Sequence, residues 1–224
     1  MGVLRRLQQA RPKPRPGERC ELCTAELAEE HPHLVRLDTR SLLCACRPCY
    51  LLFTAEGSGG GRYRAVPGRY LALAGFALSG PAWDDLQIPV GVAFFFHNSE
   101  EGRVVAFYPS PAGATESLLK LDAWEHLVAA NPSIPAMEPD VEALLIRIGG
   151  AGPGGLAGAP GGARAPECFV VPIDACYELV GQIRLVWRGF DGGQEARATI
   201  DEFFDRIRRR ARPVVAPAAR TVPE

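Results

Sequence analysis

Five of the seven cysteines fall between Cys20 and Cys49, and their spacing constrains the fold more than any other feature. Cys20-Glu-Leu-Cys23 is followed, after an interval with short hydrophobic stretches, by Cys44-Ala-Cys46-Arg-Pro-Cys49. Two Cys-x-x-Cys pairs brought together by a hairpin offer four thiolates to one metal ion, the donor set of a structural zinc site. Cys20, Cys23, Cys46 and Cys49 form the symmetrical set, because the paired spacers let backbone amides point at the sulfurs. Cys44 is the alternative ligand, or else a strand residue beside the site. His31 and His33 are candidate substitutes or a second site, set against the reading of a surface His-x-His.

Between the pairs, His33 to Asp38 and Ser41 to Cys44 read as two short strands joined around Thr39-Arg40. Knuckle, hairpin and second knuckle describe a zinc ribbon or a treble clef, and the choice depends on whether Cys46 to Phe53 is strand or helix. A short helix is expected, because the positive end of a helix stabilises thiolates. Zinc is the expected ion. Rubredoxin-like iron is the alternative, since both metals accept tetrahedral sulfur, and the fifth cysteine keeps a bridged cluster open. Thr24 and Tyr50, which follow the pairs, depart from the glycine and aromatic pattern of rubredoxins.

The cysteine spacing favours a metal site in a reducing compartment over disulfides. Met1 to Gly17 has arginines but no apolar stretch of a secretory signal, and Val90 to Phe96 is too short to span a bilayer. A cytoplasmic location without membrane insertion is therefore expected. A net charge of -1 gives no general reason to expect nucleic acid as a partner. The 47% apolar and 23% charged fractions suit a globular chain.

The expected fold class is α+β: a small zinc-ribbon or treble-clef module followed by a mixed or antiparallel sheet packed with helices. Residues 1–17 read as a flexible basic arm and 18–56 as the metal-binding module, with a linker at Gly57 to Gly61. Residues 62–210 read as the α+β domain, interrupted by a mobile Gly/Ala/Pro-rich loop at 149–164, and 211–224 as a flexible tail.

In that larger body, Arg62 to Val66 and Arg69 to Leu73 read as strands, and Ser79 as the N-cap of a helix reaching Leu86. Val90 to His97 and Arg103 to Ser110 form the clearest hairpin, expected at the sheet centre, with Phe94-Phe95-Phe96 buried on both faces. Tyr108 to Ser117 is expected to lead into a helix ending near Ala130, capped by Thr115, with Leu118, Leu121, Trp124 and Val128 on its apolar face. On that reading Tyr108, Ser110, Thr115, Glu116 and Ser117 form a candidate ligand or partner site at a helix start. Glu116 argues against phosphate there. A strand from about Ala143 is expected to pair with Glu167 to Ile173. Helices follow over Asp174 to Trp187, with Asp174 as N-cap, and around Ile200, Phe203, Phe204 and Ile207. Cys168 and Cys176 read as buried apolar residues. The arginines from Arg206 to Arg212 suit a helix C-terminus, with a partner-binding patch as the alternative.

No nucleophile elbow, His-Glu-x-x-His, Walker loop or dinucleotide fingerprint occurs. Four thiolates would also close the metal's shell to substrate. The residues Arg19-Cys-Glu-Leu-Cys23, Leu43-Cys-Ala-Cys-Arg-Pro-Cys49, Ala106-Phe-Tyr-Pro-Ser-Pro-Ala-Gly-Ala-Thr-Glu-Ser117 and Val171-Pro-Ile-Asp-Ala-Cys-Tyr-Glu-Leu-Val-Gly181, with Trp187-Arg-Gly-Phe190, resemble a bacterial domain-of-unknown-function family encoded near nickel–iron hydrogenase genes. The resemblance covers roughly residues 18–210. It implies an accessory role in assembly, maturation or electron supply, with a hydrogenase subunit or maturation factor as protein partner. The leading expectation is thus a non-enzymatic zinc-binding accessory protein. The alternatives are a rubredoxin-like one-electron carrier and an enzyme with its site at the 108–117 turn.

Overall fold

A computed structural model describes residues 19–149, 165–189 and 192–214. The basic arm at 1–17, all but the first residue of the 149–164 loop, and the tail beyond 214 lie outside the described residues. The chain forms two compact units, Met1–Val66 and Pro67–Glu224.

The first unit is built on a three-stranded antiparallel sheet, β1 (His33–Arg36), β2 (Ser41–Cys44) and β3 (Tyr63–Ala65), in the order β2-β1-β3. The β1–β2 hairpin closes between Arg36 and Ser41, with Arg40 in the left-handed region at φ 50°. Helix α1 (Arg47–Thr54) follows, with Pro48 in the first turn, where a missing N–H costs nothing. This helix makes the arrangement a treble clef rather than a ribbon, as the expected thiolate–dipole pairing requires.

Two expectations for the segment after α1 are corrected. The glycine run is a structured turn rather than a linker: Ser58 Oγ donates to the Leu52 carbonyl, and Gly59 and Gly60 take left-handed conformations at φ 58° and 64°. Gly59, at φ +58°, lies where a Cβ would come within 2.9 Å of the Tyr63 ring, so only glycine fits without displacing it. The strand after it pairs with β1, not with the larger sheet. Phe53 and Tyr63, edge to face at 5.2 Å, lock α1 to that strand.

The second unit holds a seven-stranded sheet made of β4 (Leu71–Ala72), β5 (Val92–Asn98), β6 (Arg103–Ser110), β7 (Gly113–Ser117), β8 (Glu142–Arg147), β9 (Glu167–Pro172) and β10 (Arg212–Pro213). Its order is β10-β4-β9-β8-β5-β6-β7, antiparallel except for the β10–β4 pair. The expected α+β class, with a mixed sheet packed by helices, is observed. The β8–β9 pairing expected from sequence forms from Glu142↔Pro172 to Arg147↔Glu167. The β5–β6 hairpin forms too, but the middle strand is β8, every residue of which is buried. Arg212–Pro213, expected in a flexible tail, instead extends the sheet along β4.

Among the described residues this unit has four α-helices: α2 (Gly80–Asp85), α3 (Leu121–Ala130), α4 (Ile173–Val186) and α5 (Gly193–Arg210). Strand alternation sorts the core into two layers. Ala72, Phe169, Leu145, Phe94 and Phe107 form one cross-strand row, where Tyr177 of α4 meets Phe94 at 5.9 Å and Phe204 of α5 meets Phe169 at 6.1 Å. Leu71, Val170, Leu144, Phe95 and Ala106 form the opposite row, where Trp124 of α3 stacks on Phe95 at 5.4 Å. The Phe94–Phe96 run is therefore buried on both faces, each ring contributing about 2–3 kcal/mol by leaving water.

Caps and buried polar groups position the connections. Ser79 is the N-cap of α2, accepting from Ala82 N at 3.3 Å. Asn131, buried at the end of α3, exchanges two hydrogen bonds with the Ala77 backbone and donates to Leu127 O. Glu142, 1% exposed at the head of β8, receives a two-pronged Arg69 guanidinium and the Glu138 N–H. Asp174 stands inside the first turn of α4 rather than at its cap, which is Pro172, and accepts from Ala175 N. The α5 core face is as expected, with Ile200, Phe203, Phe204 and Ile207 buried.

Candidate metal centre

The first knuckle is a tight backbone loop. Cys20 N donates to Ala25 O, Thr24 N donates to Cys20 O, and Thr24 takes φ 64° to close the turn. Glu21 fastens the loop to β2: its N–H donates to Cys44 O, and its carboxylate accepts from Cys44 N at 2.6 Å. The second knuckle is a helix start. Cys46 is the N-cap residue of α1 and Cys49 lies in its first turn, so both sulfurs sit at the positive end of the helix.

These supports bring the Sγ atoms of Cys20, Cys23, Cys46 and Cys49 within 4.8 Å of one another. Tetrahedral bonds of about 2.3 Å place sulfurs about 3.8 Å apart. The 3.6 Å between Cys23 and Cys46 matches that spacing. Cys20 and Cys49 are buried, Cys46 half-buried and Cys23 exposed, so the cluster opens to solvent on one side. A four-cysteine cluster of this geometry can hold a metal ion.

The thiols are electrostatically unequal. Burial opposes ionisation of Cys20, but N–H groups of Cys46, Leu22 and Cys23 outweigh it and hold the thiol down at about 6. Burial, then the neighbouring thiols of Cys23, Cys46 and Cys20, push Cys49 up. One thiolate thus forms readily, and gathering the rest costs free energy that a metal ion held at the centre would offset.

Cys44 does not join this group. It is paired directly across the β1–β2 ladder with His33 and lies with His31 and His33 in a separate cluster. The sequence leaves Cys44 open between these places; the strand register decides it. Glu21, which ties the two clusters' backbones together, was not singled out from sequence. Its place inside the first Cys-x-x-Cys was the available signal.

The Tyr108 to Ser117 segment is a hairpin, not an approach to a helix. Tyr108 pairs with Thr115 and Ser110 with Gly113, leaving Pro111-Ala112 as a two-residue turn. Thr115 is therefore no N-cap; its hydroxyl bonds Ser110 Oγ at 2.8 Å. Buried Ser117 donates to Gln87 O at 3.0 Å. Glu116 stands on the opposite face, bonded to Arg103 at 2.9 Å. The segment therefore presents no helix N-terminus to an anion. Ser110-Pro-Ala-Gly113, with proline second in the turn, was the signal that separates the readings.

The helix that follows starts only at Leu121 and buries Ala123 and Leu127, while Leu118 and Leu121 are 86% and 65% exposed. The apolar face expected from sequence is thus rotated. Elsewhere, Cys168 and Cys176 are buried apolar residues, and burial pushes both thiols up. The arginine run is engaged: Arg206 pairs with Glu178, Arg208 with Glu167 and Asp205, and Arg210 lies over the Tyr70 ring at 4.3 Å. No helix among the described residues is long and apolar enough to cross a membrane.

No curated protein and no solved structure matches the chain. A family-wide sequence description matches residues 19–211, from the residue before the first knuckle to the end of α5, and on that span the chain belongs to the family of unknown function DUF5947.

Proposed function

We propose that this protein is a non-enzymatic zinc-binding accessory protein, with Cys20, Cys23, Cys46 and Cys49 as the ligands of one structural ion. The observation that carries the reading is the closed set of four sulfurs, spaced for a tetrahedron and fed by backbone N–H groups. Four protein ligands leave no position for a substrate, so the ion's work is to hold the module's shape. The α+β body then serves as the docking part. A nickel–iron hydrogenase subunit or maturation factor is the partner implied by the sequence resemblance, and the cytoplasm the compartment implied by the cysteine usage.

Metal analysis of protein purified from its native host tests the ion. Tightly held zinc, lost together with stability in Cys20→Ser and Cys49→Ser, is the expected result. Metal-free protein of unchanged stability overturns it. A red protein whose colour bleaches on reduction replaces zinc with rubredoxin-like iron. Affinity capture from the same host tests the partner: enrichment of a hydrogenase subunit or maturation factor is expected, and capture of neither overturns that assignment.

A further inference from the structure

The first unit carries a second constellation of metal-binding groups that the four-thiolate site does not use. His33 on β1 and Cys44 on β2 are directly opposed, so their side chains leave the same face of the hairpin. His31, two residues before His33, reaches the same place, its ring centroid 4.8 Å from that of His33. The ligand atoms of the three residues lie within 4.8 Å of one another.

The state of His31 is the telling detail. Its Nδ1 lies 2.9 Å from the Ala28 carbonyl, which can only accept, so Nδ1 carries the proton. Its Nε2 is buried and has no hydrogen-bond partner among the described residues. A buried ring nitrogen left unpaired costs free energy, and an imidazole oriented through a backbone carbonyl is how proteins prepare a metal ligand. Beside the group, the Glu21 carboxylate is held at 2.6 Å by the Cys44 N–H and sets a negative charge that favours a cation.

We infer that His31 Nε2, His33 and Cys44 Sγ form a second metal site, a set of two nitrogens and one sulfur for a borderline first-row cation of the zinc class. Two imidazoles and one thiolate exclude the hard cations calcium and magnesium, which require oxygen donors. Three protein ligands leave a coordination position open, as in exchangeable or reactive sites and unlike the closed four-thiolate shell. All three residues are half-buried, with His31 Nε2 itself beneath the surface. Such a three-ligand site exchanges its ion more readily than a closed four-thiolate shell.

Titration of the full chain with Zn2+ tests this. Beyond the tightly held ion, a second, weaker equivalent is expected, removed by a mild chelator that leaves the first in place. His31→Gln and Cys44→Ser should each abolish that second equivalent, or weaken it at least tenfold, without loss of the first. Absence of a second equivalent in the unaltered chain, or its full retention in both variants, overturns the proposal. Cadmium NMR on the unaltered chain gives a readout that does not depend on a variant folding. Two resonances are expected, one sulfur-rich and one dominated by nitrogen; a single four-sulfur resonance at saturation overturns the site. Loss of the four-sulfur signal alone would instead count against the structural ion.

Discussion

The two units solve the problem of holding a chain together by opposite means. In the first, the continuous buried cluster is Cys20, Leu34, Ala45 and Cys49, so half of its members are metal-ligand candidates. In the second, Val92 to Phe96 of β5 and the whole of β8 are buried side by side, with Tyr177 of α4 and Trp124 of α3 against β5 and Phe204 of α5 against the neighbouring β9. Small modules cannot bury enough apolar surface to offset chain entropy, and a metal then supplies what the core does not. One short stretch of polar chemistry can thus replace a hydrophobic layer.

Removing the metal should break the symmetry between the units most severely. Structural zinc contributes about 10–16 kcal/mol to folding in small modules. A strong chelator is therefore expected to expose the amides of β1, β2 and α1 to hydrogen exchange while those of β5 and β8 stay protected. Uniform protection in both units after metal loss would sink the comparison.

Phe95→Ala makes the converse cut. Loss of the ring stacked on Trp124 should cost about 3–5 kcal/mol in denaturant unfolding of the second unit, with metal content unchanged. A cost under about 1 kcal/mol would mean that the core does not depend on that layer.

Arg69→Met probes a place where the apolar unit relies on charge; buried Arg147, paired with Asp201, is another. It strands the Glu142 carboxylate, 1% exposed, and should cost about 3 kcal/mol in the same assay. Arg69→Met with Glu142→Leu should recover part of the loss, because replacing both partners removes the buried charge. No recovery would assign the effect to packing of the arginine stem.

Ser79→Ala is the smallest test. Removing the hydroxyl that accepts from Ala82 N should cost about 1 kcal/mol, read as a small fall in melting temperature and no change in metal content.

Local patterns were legible where one stretch of chain carried the whole signal. The cysteine spacing identified the cluster, Ser79 its helix start, and the Phe94 run a strand buried on both faces. They failed where a second segment had to arrive first. Thr115 has the chemistry of a helix cap, but pairing with Tyr108 placed it in a strand. Leu118 and Leu121 have apolar spacing, but the helix began late and turned them to solvent. Arg62 to Val66 read as a strand of the larger body, but Tyr63 to Ala65 pair with β1.

By itself, then, the sequence determined that four cysteines in two pairs would meet, because each x-x spacer shapes its own knuckle within a few residues. It also determined that the rest is a sheet with helices, through alternation and helical spacing. Only the tertiary structure decided that β8 is the middle strand, that Tyr108 to Ser117 is a hairpin, and that Cys44 faces two histidines rather than four thiols. Those outcomes depend on register between distant segments. A shift of one residue would turn every side chain to the opposite face.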